Sequence, residues 1–188
     1  MEGAMTDCNS AYALITGGSS GIGLEIAKIL AKDYHLVLVG RRFEALEEAR
    51  EEILLQSNNL HRDVITFPCD VACEEECIRL HQFCQNYNIE VVIHSAGVGV
   101  YGQFLKTSLD KELAMIQTNV VGMHILMKLF LEDFVQKEYG YFLNVASSAG
   151  YMPGGPNMAA YYASKAYTLS LTRSVMYESQ IRHSKVYV

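Results

Sequence analysis

A tyrosine and a lysine four residues apart, Tyr161 and Lys165, form the pair in this sequence best suited to proton transfer. Both fall at the start of a segment with helical spacing, Tyr161 to Gln180, so they share one face of the helix and their side-chain ends can meet. An adjacent ammonium favours the phenolate form of a tyrosine, and this eases proton exchange near neutral pH. The spacing predicts Tyr161 as general acid and base, with Lys165 as its charged neighbour.

Two polar residues upstream complete a candidate catalytic set. Ser148 precedes Tyr161 by thirteen residues and follows a predicted strand, where its hydroxyl can hydrogen-bond a substrate oxygen. Asn119 comes directly before a predicted helix, where it can order a water molecule. Taken singly, each residue has a plain structural alternative: Ser148 and Asn119 as caps or turn residues, Lys165 as an exposed helical lysine, and Tyr161 as an aromatic at the edge of the core.

A glycine-rich turn lies near the start of the chain, within the segment ALITGGSSGIGL at residues 13–24. A predicted strand runs straight into the glycines and a predicted helix follows. Gly17 permits the tight turn, Gly21 permits close approach to a pyrophosphate, and Gly23 permits the helix to pack on the strand. The helix N-terminus adds N–H donors and a positive dipole. This segment predicts a dinucleotide-binding turn, against the alternative of a tight turn without a ligand.

The end of the second predicted strand carries Gly40, Arg41 and Arg42. A carboxylate at this position accepts a hydrogen bond from the ribose 2′-hydroxyl of NAD, whereas a guanidinium complements the 2′-phosphate of NADP. The sequence therefore favours NADP(H) over NAD(H), with Arg41 as the contact. The alternative is that both arginines only balance the negative charge of the acidic helix that follows.

The elements that must position these residues alternate between short β-rich runs and longer amphipathic stretches. Strands separated by helices of this length predict an α/β protein whose parallel sheet has helices on both faces. The predicted strands are Tyr12–Thr16, Leu36–Val39, Val64–Phe67, Val91–His94, Tyr141–Ala146 and Lys185–Val188; the predicted helices are Ile22–Lys32, Phe43–Gln56, Glu74–Tyr87, Leu109–Ile116, Val120–Lys137 and Tyr161–Gln180.

Composition narrows the class of protein. The 188 residues, half of them apolar, suit one globular domain over 1–188. Fifteen basic against 21 acidic residues give a net charge of −6, which disfavours nucleic acid as a partner. The first ten residues lack the pattern of a secretory signal, and the longest apolar stretch, Val120–Leu131, is too short and too interrupted to span a bilayer. We therefore expect a cytoplasmic protein without a membrane span.

The five cysteines suit reduced thiols, since their number is odd and an export signal is lacking. Cys73, Cys77 and Cys84 share one helical stripe with Leu80, and His81 lies nearby. A zinc site is the functional interpretation of this stripe. Small side chains packed against a sheet are the favoured one, because the spacing matches no paired-cysteine metal motif, and we predict no metal.

Taken together, these motifs resemble the short-chain dehydrogenase/reductase family, in its single-domain TGxxxGxG and YxxxK branch. The resemblance covers essentially the whole chain. It implies a Rossmann-type doubly wound parallel sheet of strand order 3-2-1-4-5-6, and hydride transfer between the nicotinamide and a carbonyl or secondary alcohol. Tyr161 would pass the proton, Lys165 would also hold the nicotinamide ribose, Ser148 would stabilise the oxyanion, and Asn119 would support a water relay.

The resemblance also implies the cofactor-binding residues. They are Gly17, Ser19, Ser20, Gly21, Ile22, Gly23, Arg41, Asp70, Val71, Ala96, Gly97, Asn119, Tyr161 and Lys165. A small-molecule carbonyl or alcohol is the expected partner, and apolar residues expected to face it indicate an apolar substrate. These are Val98, Val100, Tyr101, Met152 and Met158.

The sequence departs from the family pattern at two points. His94 and Ser95 stand where the family carries two asparagines before Ala-Gly, and the chain stops in its sixth strand, before the family's nicotinamide-contacting segment and substrate lid. The full-length form would be a homodimer or tetramer. A truncated chain that binds nucleotide without turnover, or that only dimerises, is the alternative function.

Overall fold

A six-stranded parallel sheet organises the chain in the computed structural model, which describes residues 10–56, 62–181 and 185–188. The strand order is β3-β2-β1-β4-β5-β6, and every neighbouring pair is parallel. This confirms the predicted doubly wound α/β fold. The strands are β1 Ala11–Thr16, β2 His35–Gly40, β3 Val64–Pro68, β4 Asn88–His94, β5 Tyr139–Asn144 and β6 Lys185–Tyr187.

Helices pack on both faces of this sheet. The central strands are apolar along nearly their whole length, as expected of strands covered on two sides. Their side chains divide into two buried clusters, one on each face. The helices are α1 Gly21–Leu30, α2 Phe43–Gln56, α3 Glu74–Cys84, α4 Leu109–Ile116, α5 Met123–Lys137 and α6 Ala159–Ile181.

The predicted gap between the fourth and fifth helices is wrong. A π-helical segment, Gln117–Gly122, joins α4 to α5, so that one helix runs from Leu109 to Lys137. Asn119 therefore lies inside a helix rather than before one. The wider turn brings Gly122 against β3's following loop, where an added Cβ would lie 2.0 Å from the carbonyl oxygen of Val71.

By length and composition alone, this joined helix would also pass for a membrane span. Its buried side chains nevertheless belong to the cluster on one face of the sheet, among them Leu126, Phe130 and Phe134. A core helix with such a stripe meets the same criteria as a membrane span. We therefore interpret it as a core helix.

The cysteine stripe on α3 packs as the favoured interpretation expects. Cys77 and Cys84 are buried in the core, while Cys73 precedes the helix and is half-buried. His81 Nε2 lies within hydrogen-bond distance of Asp133 Oδ2, at 2.8 Å. Cys8 lies outside the described residues.

One face of β5 and β6 is not covered by α1 or α2. Tyr139, Tyr141, Leu143 and Tyr187 are exposed there. The rings of Tyr141 and Tyr187 stack at a centroid distance of 4.9 Å, and Tyr139 meets Tyr141 edge-on at 5.6 Å.

Candidate active site

The strand order reverses between β1 and β4, and a crevice opens outside the carboxyl ends of these two strands. Doubly wound sheets bind ligands at such switch points. The glycine turn after β1 and the loop after β4 form its walls, and the start of α6 closes one end. Most of the predicted site residues lie at the ends of elements that meet at this crevice, while Asn119 lies inside the joined helix.

The glycine turn needs glycine for two separate reasons. Gly17 and Gly21 have φ of 66° and 55°, a left-handed conformation that side chains with a Cβ rarely adopt. Gly23 has no room, because an added Cβ would lie 2.3 Å from the carbonyl oxygen of Gly17. The start of α1 therefore packs directly on the turn, and its N-terminus opens toward the crevice.

Two clefts, of about 480 and 260 Å³, make up the crevice. They share Gly17, Ser20, Ala96, Gly97 and Val98, so they form one groove that crosses over the glycine turn. This groove, hereafter the switch-point groove, contains most of the predicted cofactor residues. Ser19, Arg41, Asp70 and Val71 lie at the β2 end; Gly21, Ile22, Tyr161 and Lys165 lie at the α6 end.

The β2 end of the groove is basic. Arg41 and Arg42 both line it and both are exposed. Neither forms an ion pair with a carboxylate among the described residues, so the acidic helix α2 does not neutralise them. Asp70 faces the same cleft and accepts a hydrogen bond from the Ala72 N–H at 3.1 Å. Two free guanidinium groups at this end suit an anionic ligand group.

The α6 end holds the tyrosine and lysine together. Lys165 Nζ lies 5.9 Å from the centroid of the Tyr161 ring and donates a hydrogen bond to the Val145 carbonyl at 2.9 Å. Only 8% of Lys165 is exposed, and this burial lowers the pKa of its ammonium. Gly97 leaves the space beside it open, since an added Cβ would lie 3.5 Å from Nζ.

Asn119 is fixed on the π-helical segment by three hydrogen bonds. Its Oδ1 accepts from the Val98 N–H at 2.9 Å, and its Nδ2 donates to the Val98 carbonyl at 2.8 Å and to Ser164 Oγ at 3.2 Å. Ser164 in turn donates to the Tyr161 carbonyl at 2.8 Å. The asparagine thereby clamps the loop after β4 to the first turn of α6. Its side chain also faces Gly97, 3.3 Å from an added Cβ.

Ser148 occupies a different kind of position from the other three candidates. It begins a short 3-10 turn, Ser148–Gly150, and is exposed, whereas Asn119 and Lys165 are buried; like Asn119, it is not among the residues that line the switch-point groove. The preceding Ser147 is half-buried, and its Oγ accepts from the Ala149 N–H at 3.1 Å as the cap of that turn. The structure thus brings Tyr161, Lys165 and Asn119 together, and leaves Ser148 exposed outside the groove lining.

Sequence reasoning missed the roles of Ser164 and Thr16 in organising the site, and it named His94 only as a departure from the family pattern, without its contacts. Ser164 lies inside the tyrosine–lysine motif but is recognisable only through its contact with Asn119. Thr16 Oγ1 accepts from the Ala96 N–H at 3.1 Å and contacts His94 Nδ1, also at 3.1 Å. His94 is buried, and burial together with the nearby Lys165 ammonium lowers its pKa to about 3. It is therefore neutral at physiological pH.

The groove fits a dinucleotide on observations of this chain alone. Glycines line its floor, two of them with positive φ, a helix N-terminus lies beside them, and cationic side chains stand at both ends. A phosphate-containing, elongated ligand matches these features. A compact ligand would leave one of the two clefts unused.

Comparison with known proteins agrees with this geometry. The profile of the short chain dehydrogenase family matches residues 11–188. The 3-oxoacyl-[acyl-carrier-protein] reductase FabG of Rickettsia prowazekii is 31% identical over 179 residues, which cover 95% of this chain and 70% of that protein.

Two solved structures share the fold. Actinorhodin polyketide ketoreductase F189W with NADPH superposes with a TM-score of 0.87 at 26% identity, covering 98% of this chain and 70% of that one. A metagenomic short-chain oxidoreductase in complex with NADP gives a TM-score of 0.84 at 26% identity, covering 94% and 78%. The chain thus belongs to the short chain dehydrogenase family of oxidoreductases, which use nicotinamide cofactors.

Proposed function

We propose that this protein is an NADP(H)-dependent oxidoreductase that interconverts a carbonyl compound and a secondary alcohol. One observation carries the proposal: a single groove connects two unneutralised arginines at one end to the Tyr161–Lys165 pair at the other. The first end suits a 2′-phosphate and the second suits proton transfer. Two of the similar solved structures hold NADP or NADPH, which supports the same cofactor here.

A nicotinamide cofactor held in the groove would supply hydride for reduction of the carbonyl, or accept it in the reverse direction. In the reducing direction, Tyr161 Oη gives its proton to the carbonyl oxygen as that oxygen gains negative charge. Lys165 holds a positive charge near the phenolate left behind, and it would also hold the nicotinamide ribose. Asn119 keeps the loop after β4 in place and supports resupply of the proton through a water molecule.

Ser148 donates a hydrogen bond to the substrate oxygen in this scheme. Its exposed position keeps its hydroxyl available, whereas Ser147 is engaged as a cap. The remaining groove residues bind the cofactor. They are Gly17, Ser19, Ser20, Gly21, Ile22, Gly23, Asp70, Val71, Ala96 and Gly97 around the glycine turn, and Arg41 on the 2′-phosphate.

The substrate proposed here is neutral and apolar. The segments 95–105 and 145–161, which frame the Tyr161 end of the groove, contain no Asp, Glu, Lys or Arg. Met158 lines the groove, and Val98, Tyr101 and Met152 are exposed apolar or aromatic side chains on the same two segments. A carboxylate or phosphate on the substrate would find no countercharge on them.

The proposal extends to assembly, domain organisation and location in the cell. We propose one domain over 1–188, a homodimer or tetramer for the full-length protein, and a cytoplasmic location. The free thiols of the four described cysteines suit a reducing compartment. Sedimentation of the purified protein tests the assembly.

Substitution of the tyrosine tests the function. Tyr161→Phe keeps the ring and removes the proton, so kcat for NADPH-dependent ketone reduction is expected to fall at least roughly a hundredfold. Tyr162→Phe is the matched control on the neighbouring residue, which does not line the groove, and it should retain turnover. NADPH binding, followed by fluorescence, should persist in both. Near-normal turnover of the first variant would refute the role, and binding without turnover in the unaltered chain would favour the non-catalytic alternative.

A further inference from the structure

Three polar residues form a row across adjacent strands, directly beneath the loops that frame the groove. Thr16 pairs in register with His94, and His94 with Asn144. Two residues earlier, Leu14, Val92 and Phe142 form a row in the same buried cluster, so the three polar side chains share that face. Helices α5 and α6 cover this face, where Asn144 Nδ2 lies 3.0 Å from Thr172 Oγ1.

Two neighbouring members of this row, His94 and Asn144, contain unpaired atoms. His94 Nε2 and Asn144 Oδ1 are the buried side-chain nitrogen and oxygen atoms that lack a hydrogen-bond partner among the described residues. Unpaired buried polar atoms are rare in native proteins, because each costs about 1 to 3 kcal/mol. Here two of them belong to neighbours in register, on strands about 4.8 Å apart.

The hydrogen-bond pattern fixes which of the two is the donor. Thr172 Oγ1 donates to the Thr168 carbonyl at 2.7 Å, so it accepts from Asn144 and turns the amide nitrogen toward itself. The unpaired Asn144 Oδ1 is therefore an acceptor, as an amide oxygen must be.

The contact with Thr16 indicates, by the same reasoning, which ring nitrogen of His94 carries the proton. Its Oγ1 already accepts from the Ala96 N–H, and among the hydrogen bonds of the described residues His94 Nδ1, 3.1 Å away, is the acceptor left for its hydroxyl hydrogen, so we infer that Thr16 donates to Nδ1. Nδ1 is then unprotonated, so the proton of the neutral imidazole sits on Nε2. His94 thus presents an N–H donor without an acceptor, next to an acceptor without a donor.

We propose that one buried water molecule joins His94 Nε2–H to Asn144 Oδ1, and that His94 is thereby a positioning residue for the site. The completed row runs Thr16–His94–water–Asn144–Thr172. A water in such a polar, enclosed place makes two to four hydrogen bonds and is part of the fold.

The row matters to the site because of what its members hold. Thr16 holds the Ala96 N–H at the groove floor, and the His94 carbonyl accepts from the Val145 N–H at 2.9 Å. The carbonyl of Val145 in turn receives the Lys165 ammonium. Locking the three strand ends together therefore fixes the spacing between the glycine turn, the loop after β4 and the lysine.

Nitrogen NMR of the unaltered 188-residue chain tests the inference. Long-range ¹H–¹⁵N spectra of the histidine rings report which nitrogen carries the proton, and His94→Asn assigns the signals by their loss. The expected result is a neutral His94 protonated on Nε2, with a ring N–H that exchanges slowly. A proton on Nδ1, or a charged ring at pH 7, would overturn the inference without any variant being needed.

Asn144→Ala provides the second arm. It should shift the His94 Nε2 signal and speed its exchange, while His124, whose ring bonds Tyr167 instead, stays unchanged as the internal control. Combining it with His94→Asn should weaken NADPH binding no more than about twofold beyond the worse single variant, because both changes break one row. An unchanged Nε2 signal, full additivity, or a crystal structure without a water bonded to both atoms would each contradict the proposal.

Discussion

At the residue scale, the arginines of the β2 end show how charge selects a ligand. Arg41 and Arg42 are exposed on the groove and free of the acidic helix beside them. A guanidinium binds a phosphate through two parallel hydrogen bonds, and a charge-assisted bond contributes about 1.5 to 3 kcal/mol. Such a contact is lost when the ligand carries a hydroxyl in place of the phosphate.

Cofactor preference should therefore depend on Arg41. The unaltered protein is expected to bind NADPH roughly ten- to a hundredfold more tightly than NADH, and Arg41→Ala should remove most of this difference. Lys128→Ala is the matched control, since it deletes a positive charge that pairs with Glu132 away from the groove. Equal dissociation constants for the two cofactors in the unaltered protein would contradict the prediction.

His94 makes stability depend on pH. Its pKa is about 3 in the folded protein, against about 6.5 for an unfolded histidine, so between these values the unfolded chain binds more protons. Stability contributed by this residue is complete above about pH 6.5 and is lost as the pH falls toward 3, with a slope of up to about 1.4 kcal/mol per pH unit. Urea unfolding at several pH values measures the slope.

His94→Asn provides the comparison for this slope. Asparagine does not titrate, so the variant should show a shallower fall in unfolding free energy between pH 7 and pH 4. Identical slopes in the two proteins would mean that His94 is not the buried neutral group that the structure shows.

At the element scale, the π-helical segment Gln117–Gly122 is a feature that the sequence analysis did not predict. One extra residue per turn rotates Asn119 toward the groove, where it clamps the loop after β4. Such segments are uncommon and cluster at functional sites. The local cost is offset by the three hydrogen bonds that the asparagine makes.

Gly122 should be the sensitive residue of this segment. In Gly122→Ala, the Cβ would meet the Val71 carbonyl oxygen at 2.0 Å, so the segment or the groove wall must move. We expect a loss of about 1 to 3 kcal/mol in unfolding free energy, despite alanine's better helix propensity, together with weaker NADPH binding. Gln117→Ala, at an exposed position of the same segment, should change neither quantity. Unaltered stability of Gly122→Ala would show that the space between position 122 and the Val71 carbonyl accommodates a Cβ, and would contradict the prediction.

The elements themselves were largely predictable, because alternating runs of buried strand and amphipathic helix leave a clear pattern. The glycine turn also carries its own signal, since few other sequences need Gly17, Gly21 and Gly23 at that spacing. The strand order rested on the family resemblance. The π-helical segment was not predictable. Its extra residue shifts the apolar positions out of the period of 3.6 residues per turn, and such a shift in a sequence is indistinguishable from a break between two helices.

Contacts between residues distant in sequence could not be predicted either. Asn119 meets Ser164 across 45 residues, and Thr16 meets His94 across 78. A threonine at a strand end and a serine on a helix are common, and their types say nothing of their partners. Only the folded sheet and the packing of α6 bring these residues together.

At the scale of the whole molecule, ligand binding and folding should be coupled. A cofactor that binds only the folded chain stabilises it by about 2.7 kcal/mol at a hundred times its dissociation constant. The thermal midpoint should therefore rise with NADPH concentration. Gly23→Ala should abolish this rise, because a Cβ there displaces Gly17.

Gly140→Ala is the control for that experiment. Its Cβ would meet the Phe134 ring at 2.3 Å, far from the groove, so the midpoint should fall while the NADPH-dependent rise remains. An NADPH-dependent rise in the Gly23 variant equal to that of the unaltered chain would contradict the proposed role of the glycine turn.

The stacked tyrosines on β5 and β6 give the molecule an optical signature. The chain has no tryptophan, so its twelve tyrosines dominate the near-ultraviolet spectrum. Rings held as rigidly as Tyr141 and Tyr187, with 10° between their planes, couple their electronic transitions and produce circular dichroism that an isolated ring lacks. Because one ring belongs to each strand, this signal follows the docking of β6 on β5 independently of events in the groove. Tyr187→Leu removes the coupling and identifies the band.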